Sequence, residues 1–363
     1  MERLPYVIDG HNDLPWAMRE LNGYDLDQAD LAAGVPVLQT DLPRLRRGGV
    51  GAQFWSVFVP CTLSGGAAVT ATLEQIDFVK EMVRRYPDDL RLATTADQVE
   101  AAAAEGRIAC LMGMEGGHSI DESLGVLRMM HALGVRYLTL THNENVPWAD
   151  SATDTPAIGG LSEFGRDVVR EMNRIGMFVD LSHVSAAVMH DAIEVATAPV
   201  IFSHSSARAL CDINRNVPDD VLSRLPDNGG VCMVSFVPMF TSQAVADWYD
   251  DCLRLTAERG GDPRRFEDVD PIIAERRPLV PSCTPDDVAD HIEHVREVAG
   301  LDQVGLGSDY DGVMFYPEGM SDVTGYRVLL EALRARGWSD DELALLAHGN
   351  VLRAMREMEA VAR

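Results

Sequence analysis

The segment MFVDLSHVSAAVMHDAIEVATAPVIFSH, residues 177–204, decides the fold because it holds one compact strand–helix–strand unit. Its two apolar runs, 177–181 and 200–203, are each followed by a polar phrase that contains a histidine, His183 and His204. The two histidines are separated by about one minimal strand–helix unit, the connection that parallel strands need. The segment therefore predicts neighbouring parallel strands that present two imidazoles side by side at their carboxyl ends.

The same alternation runs along the whole chain. Short β-branched runs alternate with helical patterns, which predicts parallel βα units. Amphipathic patterns predict helices over 72–86, 162–176 and 284–300, with Ser162 and Thr284 as N-caps. Eight strands with intervening helices favour a (β/α)8 TIM-like barrel, and a doubly wound sheet is the alternative because a sequence does not show closure. The predicted strands are 6–9, 50–59, 107–113, 137–141, 177–181, 200–203, 230–235 and 303–307.

The chain is predicted to be a single barrel domain over residues 1–363. With 46% hydrophobic and 24% charged residues it can bury a large core. The longest gap between predicted strands, 238–283, contains two helix-like pieces and is interpreted as an insertion between strands 7 and 8, near the barrel mouth. No repeat of constant period and no linker divides the chain.

Charge and composition exclude several classes of partner. The formal net charge of −26 repels the phosphate backbone of nucleic acids and anionic membranes. The six cysteines form no C-x-x-C pair, so neither a zinc ribbon nor a disulfide framework is indicated. No export or anchor signal is visible, which predicts a cytoplasmic protein without membrane contact. A single lysine, Lys80, among 31 basic residues suggests a GC-rich bacterial genome.

Reactive side chains follow most of the predicted strands. Barrel enzymes place such groups at the carboxyl ends of their strands, where they converge on one face. The side chains in these positions are His11 and Asp13 after strand 1, Glu115 after strand 3, His142 after strand 4, His183 after strand 5, His204 after strand 6 and Asp309 after strand 8.

Five of these side chains predict a pair of metal sites. His11 and Asp13 are two residues apart, so in an extended segment both point to the same side and can hold one ion. His183 and His204 can hold a second ion, and Glu115 is placed to bridge both. Mixed nitrogen and oxygen ligands suit Zn2+. Each residue alone is more often structural, but buried carboxylates without cations are costly, which favours metal binding for the set.

The remaining histidines and motifs indicate no other chemistry. His291 and His294 lie three residues apart on the predicted helix 284–300 beside charged residues, which predicts a solvated face. Four other histidines are assigned no role: His118, His131, His190 and His348. The chain has no G-x-S-x-G elbow, no phosphate-binding loop and no dinucleotide fingerprint at the first helix, so serine hydrolase, nucleotide and dehydrogenase readings are set aside.

Several phrases of the chain together resemble the renal or membrane dipeptidase family. They occur in one order over nearly the whole chain and loosen only in the 238–283 insertion. The phrases are DGHNDLPW at 9–16, EGGHS at 115–119, THNENVPWAD at 141–150, DLSHVS at 180–185, FSHSSARAL at 202–210, NRNVPDD at 214–220 and GSDYDG at 307–312.

This resemblance implies an amidohydrolase-type barrel with two Zn2+ ions per chain. It implies that His11, Asp13 and Glu115 hold the first ion, and that His183, His204 and Glu115 hold the second. It further implies that His142 binds the substrate carbonyl, that Arg215 binds the substrate's terminal carboxylate and that Asp309 transfers protons. From the residues alone, a surface ion pair with Asp219 or Asp220 is the favoured reading of Arg215. Many amidohydrolase relatives carry H-x-H after strand 1 and a bridging carboxylated lysine, whereas this chain has H-x-D and Glu115.

The expected function is that of a bacterial dinuclear zinc dipeptidase. Two metal ions that share one water lower its pKa toward about 7, which supplies hydroxide at neutral pH for attack on a peptide bond. The expected partner is a dipeptide of L,L configuration, with L,D dipeptides and a homodimeric assembly left open. The alternative enzyme is a related amidohydrolase that acts on a β-lactam or an N-acyl amino acid. The alternative outside catalysis is a silent barrel scaffold.

Overall fold

A closed parallel barrel forms the centre of the protein in the computed structural model, which describes residues 4–363. Within those residues one sheet joins nine strands in the order β2-β1-β9-β8-β7-β6-β5-β4-β3, and an additional pairing of β2 with β4 closes it. Closure excludes the doubly wound alternative and confirms the (β/α)8 prediction. The strands are β1 Val7–Asn12, β2 Val50–Phe58, β3 Leu90–Leu92, β4 Ile108–Glu115, β5 Val135–Thr139, β6 Phe178–Asp180, β7 Ile201–Phe202, β8 Val231–Val234 and β9 Val304–Leu306.

Strand β3 was not among the eight predicted strands, each of which overlaps an observed one. It pairs with the first half of β4, from Ile108 to Cys110, while β5 pairs with the second half, from Met112 to Glu115. Both therefore share one edge of β4. Because β3 contributes only three residues and does not close the ladder, the barrel itself still has eight strands.

Helices cover the outside of the barrel; two of the three predicted helices, 162–176 and 284–300, match the observed ones within one residue at each end, whereas the helix predicted over 72–86 already begins at Gly65. Ser162 caps the helix that follows β5 by accepting a hydrogen bond from the Gly165 N–H at 3.2 Å. Thr284 begins its helix with a capping box in which Asp287 accepts from the Thr284 backbone N–H at 2.7 Å. The helices are α1 Leu14–Asn22, α2 Leu42–Gly48, α3 Gly65–Arg85, α4 Ala96–Ala104, α5 Leu124–Ala132, α6 Glu163–Ile175, α7 Ala186–Val195, α8 Asp219–Leu222, α9 Leu225–Asn228, α10 Pro238–Thr241, α11 Gln243–Glu258, α12 Phe266–Arg276, α13 Pro285–Ala299, α14 Gly325–Ala335, α15 Asp340–Ala344 and α16 Asn350–Val361.

Apolar side chains pack together at the amino ends of the strands. A buried cluster joins strand residues such as Ile8, Ala52 and Ala109 to Leu352 and Met355 of α16. Burying this apolar surface is the main favourable term in folding. It also confines the polar strand ends to the opposite face of the barrel, where the predicted metal ligands lie.

The predicted insertion between β8 and β9 is helical. It contains α10, α11 and α12, whose apolar side chains form a small cluster with Phe315 of the segment after β9; Trp248 packs edge-on against Phe315 at 5.8 Å between ring centroids. Arg264 of the insertion carries a charge close to Glu144 and Asp154, which follow β5 at the carboxyl end of the barrel. The position of the insertion near the barrel mouth and the single-domain organisation both stay predictions.

His291 corrects one sequence-based expectation, because it does not lie on a solvated face. It is 1% exposed, and its Nδ1 accepts from the Ala207 N–H at 3.0 Å while Nε2 donates to the Thr241 carbonyl at 3.2 Å. It thereby joins the loop after β7 to the start of the insertion. The charged residues beside His291 on α13 had favoured a solvated face in the sequence.

None of the helices within residues 4–363 has the length and apolar character that a membrane crossing requires.

Candidate metal centre

The register of the sheet brings the polar strand ends to one level. Glu115, the last residue of β4, lies opposite Phe58 on β2 and opposite Thr139 on β5. Thr139 in turn lies opposite Asp180 at the end of β6. Side chains that immediately follow these positions consequently meet over the carboxyl end of the barrel.

Glu115 lies at the centre of this meeting point with its two oxygens facing different imidazoles. Its Oε2 is 3.4 Å from Nε2 of His11, and its Oε1 is 2.9 Å from Nε2 of His183 and 3.4 Å from Nε2 of His204. Burial raises the pKa of Glu115, but the three imidazoles outweigh burial and hold that pKa well below its ordinary value. Glu115 is therefore an anionic carboxylate that spans two groups of nitrogen ligands.

His11 is oriented by a tyrosine on a different strand. Its Nδ1 lies 2.8 Å from the Tyr137 hydroxyl, which also donates to the Gly10 carbonyl at 3.3 Å. The ring of Tyr137 fits because residue 113 is a glycine, where a Cβ would lie only 1.9 Å from the ring. The contact with Tyr137 thereby fixes the orientation of the His11 ring, which places Nε2 toward Glu115.

His204 is oriented in the same way by a buried serine and aspartate. The Ser203 hydroxyl lies 2.8 Å from Nδ1 of His204 and donates to Oδ2 of Asp180 at 2.6 Å. The hydroxyl can therefore accept the Nδ1 proton of His204, which leaves the Nε2 lone pair for a ligand. Nε2 of His204 is 3.0 Å from Nε2 of His183, so two imidazole nitrogens converge on one point.

His183 and Asp309 hold their side chains in the site from a left-handed backbone, with φ of 65° and 68°. Left-handed conformations are uncommon for residues other than glycine and cluster at functional sites. The backbone at Asp13 corrects another expectation. His11 and Asp13 were expected to point to the same side of an extended segment, but Asp13 is the N-cap of α1 and its backbone is not extended. Asp13 still reaches His11, with 3.3 Å between Oδ2 and Nε2.

Asp309 lies beside Asp13 in a crowded acidic corner. Burial, together with the neighbouring Asp13 and Glu115 carboxylates, raises the pKa of Asp309 well above its ordinary value. A Cβ at Gly312 would lie 2.3 Å from Oδ1 of Asp309 and 2.4 Å from Oδ2 of Asp13. Only glycine leaves room for both carboxylates, so the loop after β9 approaches the site as closely as its backbone allows.

His142 lies next to His183 at the candidate site. Its ring packs 4.5 Å from the His183 ring and 4.7 Å from the Phe58 ring, measured between centroids. Burial lowers the pKa of His142 to about 4, so the imidazole is neutral at neutral pH. It is thus a neutral hydrogen-bonding group next to the predicted metal ligands.

Arg215 is buried against the site and does not form the surface ion pair that its sequence context favours. Asp219 instead pairs with His294 at 2.8 Å, and Asp220 pairs with His190 at 3.0 Å. Arg215 is 4% exposed, and its guanidinium carbon lies 5.1 Å from the centroid of the Phe240 ring.

Within residues 4–363, both hydrogen bonds of the Arg215 guanidinium go to neutral oxygens. These are the Ser205 hydroxyl at 2.7 Å and the His204 carbonyl at 3.1 Å, and Nε has no partner. Burial lowers the pKa of Arg215 to about 10, which still leaves the side chain cationic at neutral pH. A buried cation with donors to spare can receive an anionic group from a ligand.

The chemistry of this cluster fits a pair of divalent ions. Three of its buried atoms have no hydrogen-bond partner within the described part of the chain: His11 Nε2, Asp13 Oδ1 and His183 Nδ1. Three overlapping groups have ligand atoms within 4.8 Å of one another: His11, Glu115 and His204; Glu115, His142 and His183; and His11, Asp13 and Asp309. All seven side chains predicted at strand ends thus come together, and Arg215 adjoins them through His204.

Sequence reasoning missed the side chains that orient these ligands. Ser56 donates to Oε2 of Glu115 at 3.2 Å, and Tyr137 and Ser203 contact the Nδ1 atoms of two histidines. Ser203 could have been suspected because it directly precedes His204. No signal in the sequence marks Tyr137, whose role depends on the register of β4 and β5.

Comparison with known proteins gives a family match over the whole chain. The profile described as membrane dipeptidase (peptidase family M19) matches residues 1–363. Dipeptidase 3 of Rattus norvegicus is 43% identical over 360 residues, and Dipeptidase 3 of Homo sapiens is 41% identical over 360 residues. Each alignment covers 98% of this chain and 65% of the relative, so the chain spans less than two thirds of the length of these relatives.

Solved structures give the same family of folds. The probable dipeptidase PvdM from Pseudomonas aeruginosa superimposes with a TM-score of 0.86 at 26% identity, covering 99% of this chain and 96% of that one. A metallo peptidase from Rhodobacter sphaeroides, solved with a phosphinate mimic of L-Ala-D-Ala, has a TM-score of 0.82 at 24% identity and covers 98% of this chain and 100% of that one. The second likeness bears on the fold alone.

Proposed function

The chain belongs to the membrane dipeptidase family, peptidase family M19, and from that premise we propose that it is a zinc-dependent dipeptidase with two Zn2+ ions per chain. The observation that carries the proposal is the position of Glu115. Its two carboxylate oxygens face separate histidines, at 3.4 Å from His11 and 2.9 Å from His183. A buried carboxylate in that position is suited to bridge two cations.

The proposed ligand sets follow the geometry of the cluster. His11, Asp13 and Glu115 would hold one ion, and His183, His204 and Glu115 would hold the other. When bound, such a pair of ions supplies Lewis acidity and a water of lowered pKa. The hydrogen bonds on Nδ1 of His11 and His204 support this assignment, because they leave both Nε2 lone pairs free.

The remaining side chains bind the substrate and move protons. Neutral His142 would donate a hydrogen bond to the oxygen of the scissile carbonyl, an interaction that strengthens as negative charge develops there. Asp309 would accept the proton that the attacking water loses and donate it to the leaving amine. Its position among Asp13 and Glu115 favours a proton on its carboxyl group, which suits that second step.

Arg215 would select substrates with a free carboxylate. Its buried guanidinium lies against the carbonyl of His204, so a carboxylate held by it would lie at a short fixed distance from the reacting centre. A dipeptide carries its C-terminal carboxylate one residue beyond the scissile bond. This geometry supports a preference for dipeptides over longer peptides.

The proposal is tested by metal analysis together with a dipeptide screen. Purified protein reloaded with Zn2+ should contain about two ions per chain and hydrolyse L,L-dipeptides, with L,D-dipeptides and an N-acyl amino acid screened beside them. Removing the metal with a chelator should abolish hydrolysis, and added Zn2+ should restore it. Zinc-loaded protein that cleaves no dipeptide would refute the proposal.

A variant pair sharpens the test. Glu115→Gln keeps the shape of the bridging side chain but removes its charge, and should lower both zinc content and turnover. Glu163→Gln makes the same chemical change on the exposed first residue of α6 and should leave both unchanged. The bacterial origin, the cytoplasmic location and a homodimeric assembly stay predictions.

A further inference from the structure

Cys61 contacts the imidazole that the proposed mechanism uses to bind the substrate carbonyl. It lies three residues beyond the end of β2, and its Sγ is 3.5 Å from Nδ1 of His142. The side chain is neither deeply buried nor fully exposed. The thiol therefore reaches the imidazole from the rim of the barrel mouth.

The surroundings of the sulfur indicate which atom donates. Within residues 4–363, the hydrogen bond of this sulfur is its 3.5 Å contact with Nδ1 of His142. Burial raises the pKa of the Cys61 thiol to about 11, so the sulfur carries its proton at neutral pH. A protonated thiol at this distance can donate its S–H to Nδ1 of His142 when that nitrogen carries no proton.

The location of the proton on His142 decides whether this imidazole can bind a carbonyl. A neutral imidazole carries one N–H, and the partner of one nitrogen determines which nitrogen that is. The ring of His142 is already held between Phe58 and His183, so its orientation is set by packing and only its tautomer is left to be determined.

We propose that Cys61 is a positioning residue that donates its S–H to Nδ1 of His142 and so keeps the proton on Nε2. Nε2 is then the nitrogen that donates to the carbonyl oxygen of the substrate. This inference rests on the proposed function, because it assigns Cys61 to the step in which His142 stabilises the oxygen of the scissile bond. No bond to Cys61 is made or broken.

The kinetic test compares three cysteine variants of the zinc-loaded protein. Cys61→Ala removes the donor and should lower kcat about 3- to 10-fold, the range of one hydrogen bond, while KM changes less than about twofold. Cys61→Ser keeps a donor and should retain kcat within about twofold of the parent protein. Cys252→Ala, a cysteine-to-alanine change in the insertion, should leave kcat unchanged.

Zinc content and the thermal midpoint are measured for each variant to separate positioning from folding. A Cys61→Ala variant with normal zinc and normal kcat overturns the proposal. So does a Cys61→Ser variant that loses as much kcat as Cys61→Ala, because the hydroxyl then fails to replace the thiol.

A second readout does not depend on turnover. In protein labelled with 15N-histidine, the His142 signals are assigned by their loss in His142→Gln. The expected pattern is an unprotonated Nδ1 and a protonated Nε2 in the parent protein, shifting toward the other tautomer in Cys61→Ala. A protonated Nδ1 in the parent protein overturns the role of Cys61 even if dipeptides are hydrolysed. The expected tautomer without dipeptide hydrolysis would instead count against the proposed function alone.

Discussion

Replacing Arg215 with methionine tests how the site recognises its substrate. Methionine keeps an unbranched apolar chain but removes the guanidinium, which donates to the Ser205 hydroxyl at 2.7 Å and to the His204 carbonyl at 3.1 Å. If the cation binds the terminal carboxylate of a dipeptide, the variant loses a buried, charge-assisted interaction. If the cation only supports the loop after β7, the variant loses stability instead.

The expected magnitude follows from the burial of Arg215. Truncating one partner of a buried hydrogen-bonded charge pair costs about 2 to 5 kcal/mol. At 1.36 kcal/mol per tenfold change, kcat/KM should fall by about 30-fold to a few thousand-fold. Arg215→Lys should give a smaller loss, because an ammonium keeps the charge without the planar fork of the guanidinium. The thermal midpoint should hardly change, since a buried cation without a carboxylate partner contributes little to stability.

The assay is a cycle in which both the protein and the substrate are changed. A dipeptide and its C-terminal amide are each hydrolysed by the parent protein and by Arg215→Met. The amide should be a poor substrate for the parent, and Arg215→Met should lower kcat/KM for the amide less than about threefold, because the interaction is already absent. Arg208→Met changes a partly exposed arginine of the same loop, which pairs with Asp212 at 2.9 Å, and serves as the control.

An equal loss for the dipeptide and for its amide would refute this reasoning. It would show that Arg215 acts on the metal ligands or on the loop and not on the substrate carboxylate. A fall in zinc content in Arg215→Met would point the same way, because the guanidinium contacts the carbonyl of His204.

Three further predictions follow from single contacts. Ser203→Ala removes the hydroxyl that accepts the Nδ1 proton of His204 and should weaken zinc binding about 10- to 100-fold, measured by competition with a chelator; unchanged affinity would show that the hydroxyl does not orient the ligand. Gly113→Ala places a Cβ 1.9 Å from the Tyr137 ring. It should lower the free energy of unfolding in urea by about 1 to 3 kcal/mol, and a variant of parental stability would contradict the fit of that ring. Burial lowers the pKa of His291 from 6.5 to about 4, so the unfolded chain binds a proton between those values that the folded protein does not. The free energy of unfolding should therefore fall by about 2 kcal/mol from pH 7 to pH 5 through this residue. His291→Asn should remove that part of the fall, and equal pH slopes in both proteins would count against it.

The barrel and its ligands could be predicted because both depend on features that recur along the chain. Each strand of a parallel barrel ends on the same face, so a polar side chain after a strand belongs to a common site even when the strands are distant in sequence. The positions of Glu115, His183 and His204 after their strands therefore predict that these three side chains lie together. The structure confirms that they meet, with 2.9 Å between Glu115 and His183.

What could not be predicted depends on contacts between elements. Tyr137 reaches His11 only because Gly113 on the neighbouring strand leaves room for its ring. Neither the sequence of β4 nor that of β5 shows by itself that these two strands pair. His291 lies among charged residues on α13, yet its ring turns inward to bond the chain at Ala207 and Thr241. In both cases a local pattern is outweighed by a neighbour that is remote in sequence.

The buried negative charge of the site needs compensation by protons or by cations. Asp13, Glu115 and Asp309 are all nearly buried, and the one permanent cation beside them, within residues 4–363, is Arg215, which bonds neutral oxygens. Burial lowers the pKa values of His183 and His204 well below the ordinary value, whereas at His11 Tyr137 and the carboxylates of Glu115 and Asp13 outweigh burial and raise the pKa, so His11 offsets only part of this negative charge. Burying anions without compensation is costly, so either protons or divalent ions must supply the missing positive charge. The raised pKa of Asp309 is the response through protons. Divalent ions would replace that proton, which couples metal binding both to the stability of the barrel and to the availability of Asp309 as a base.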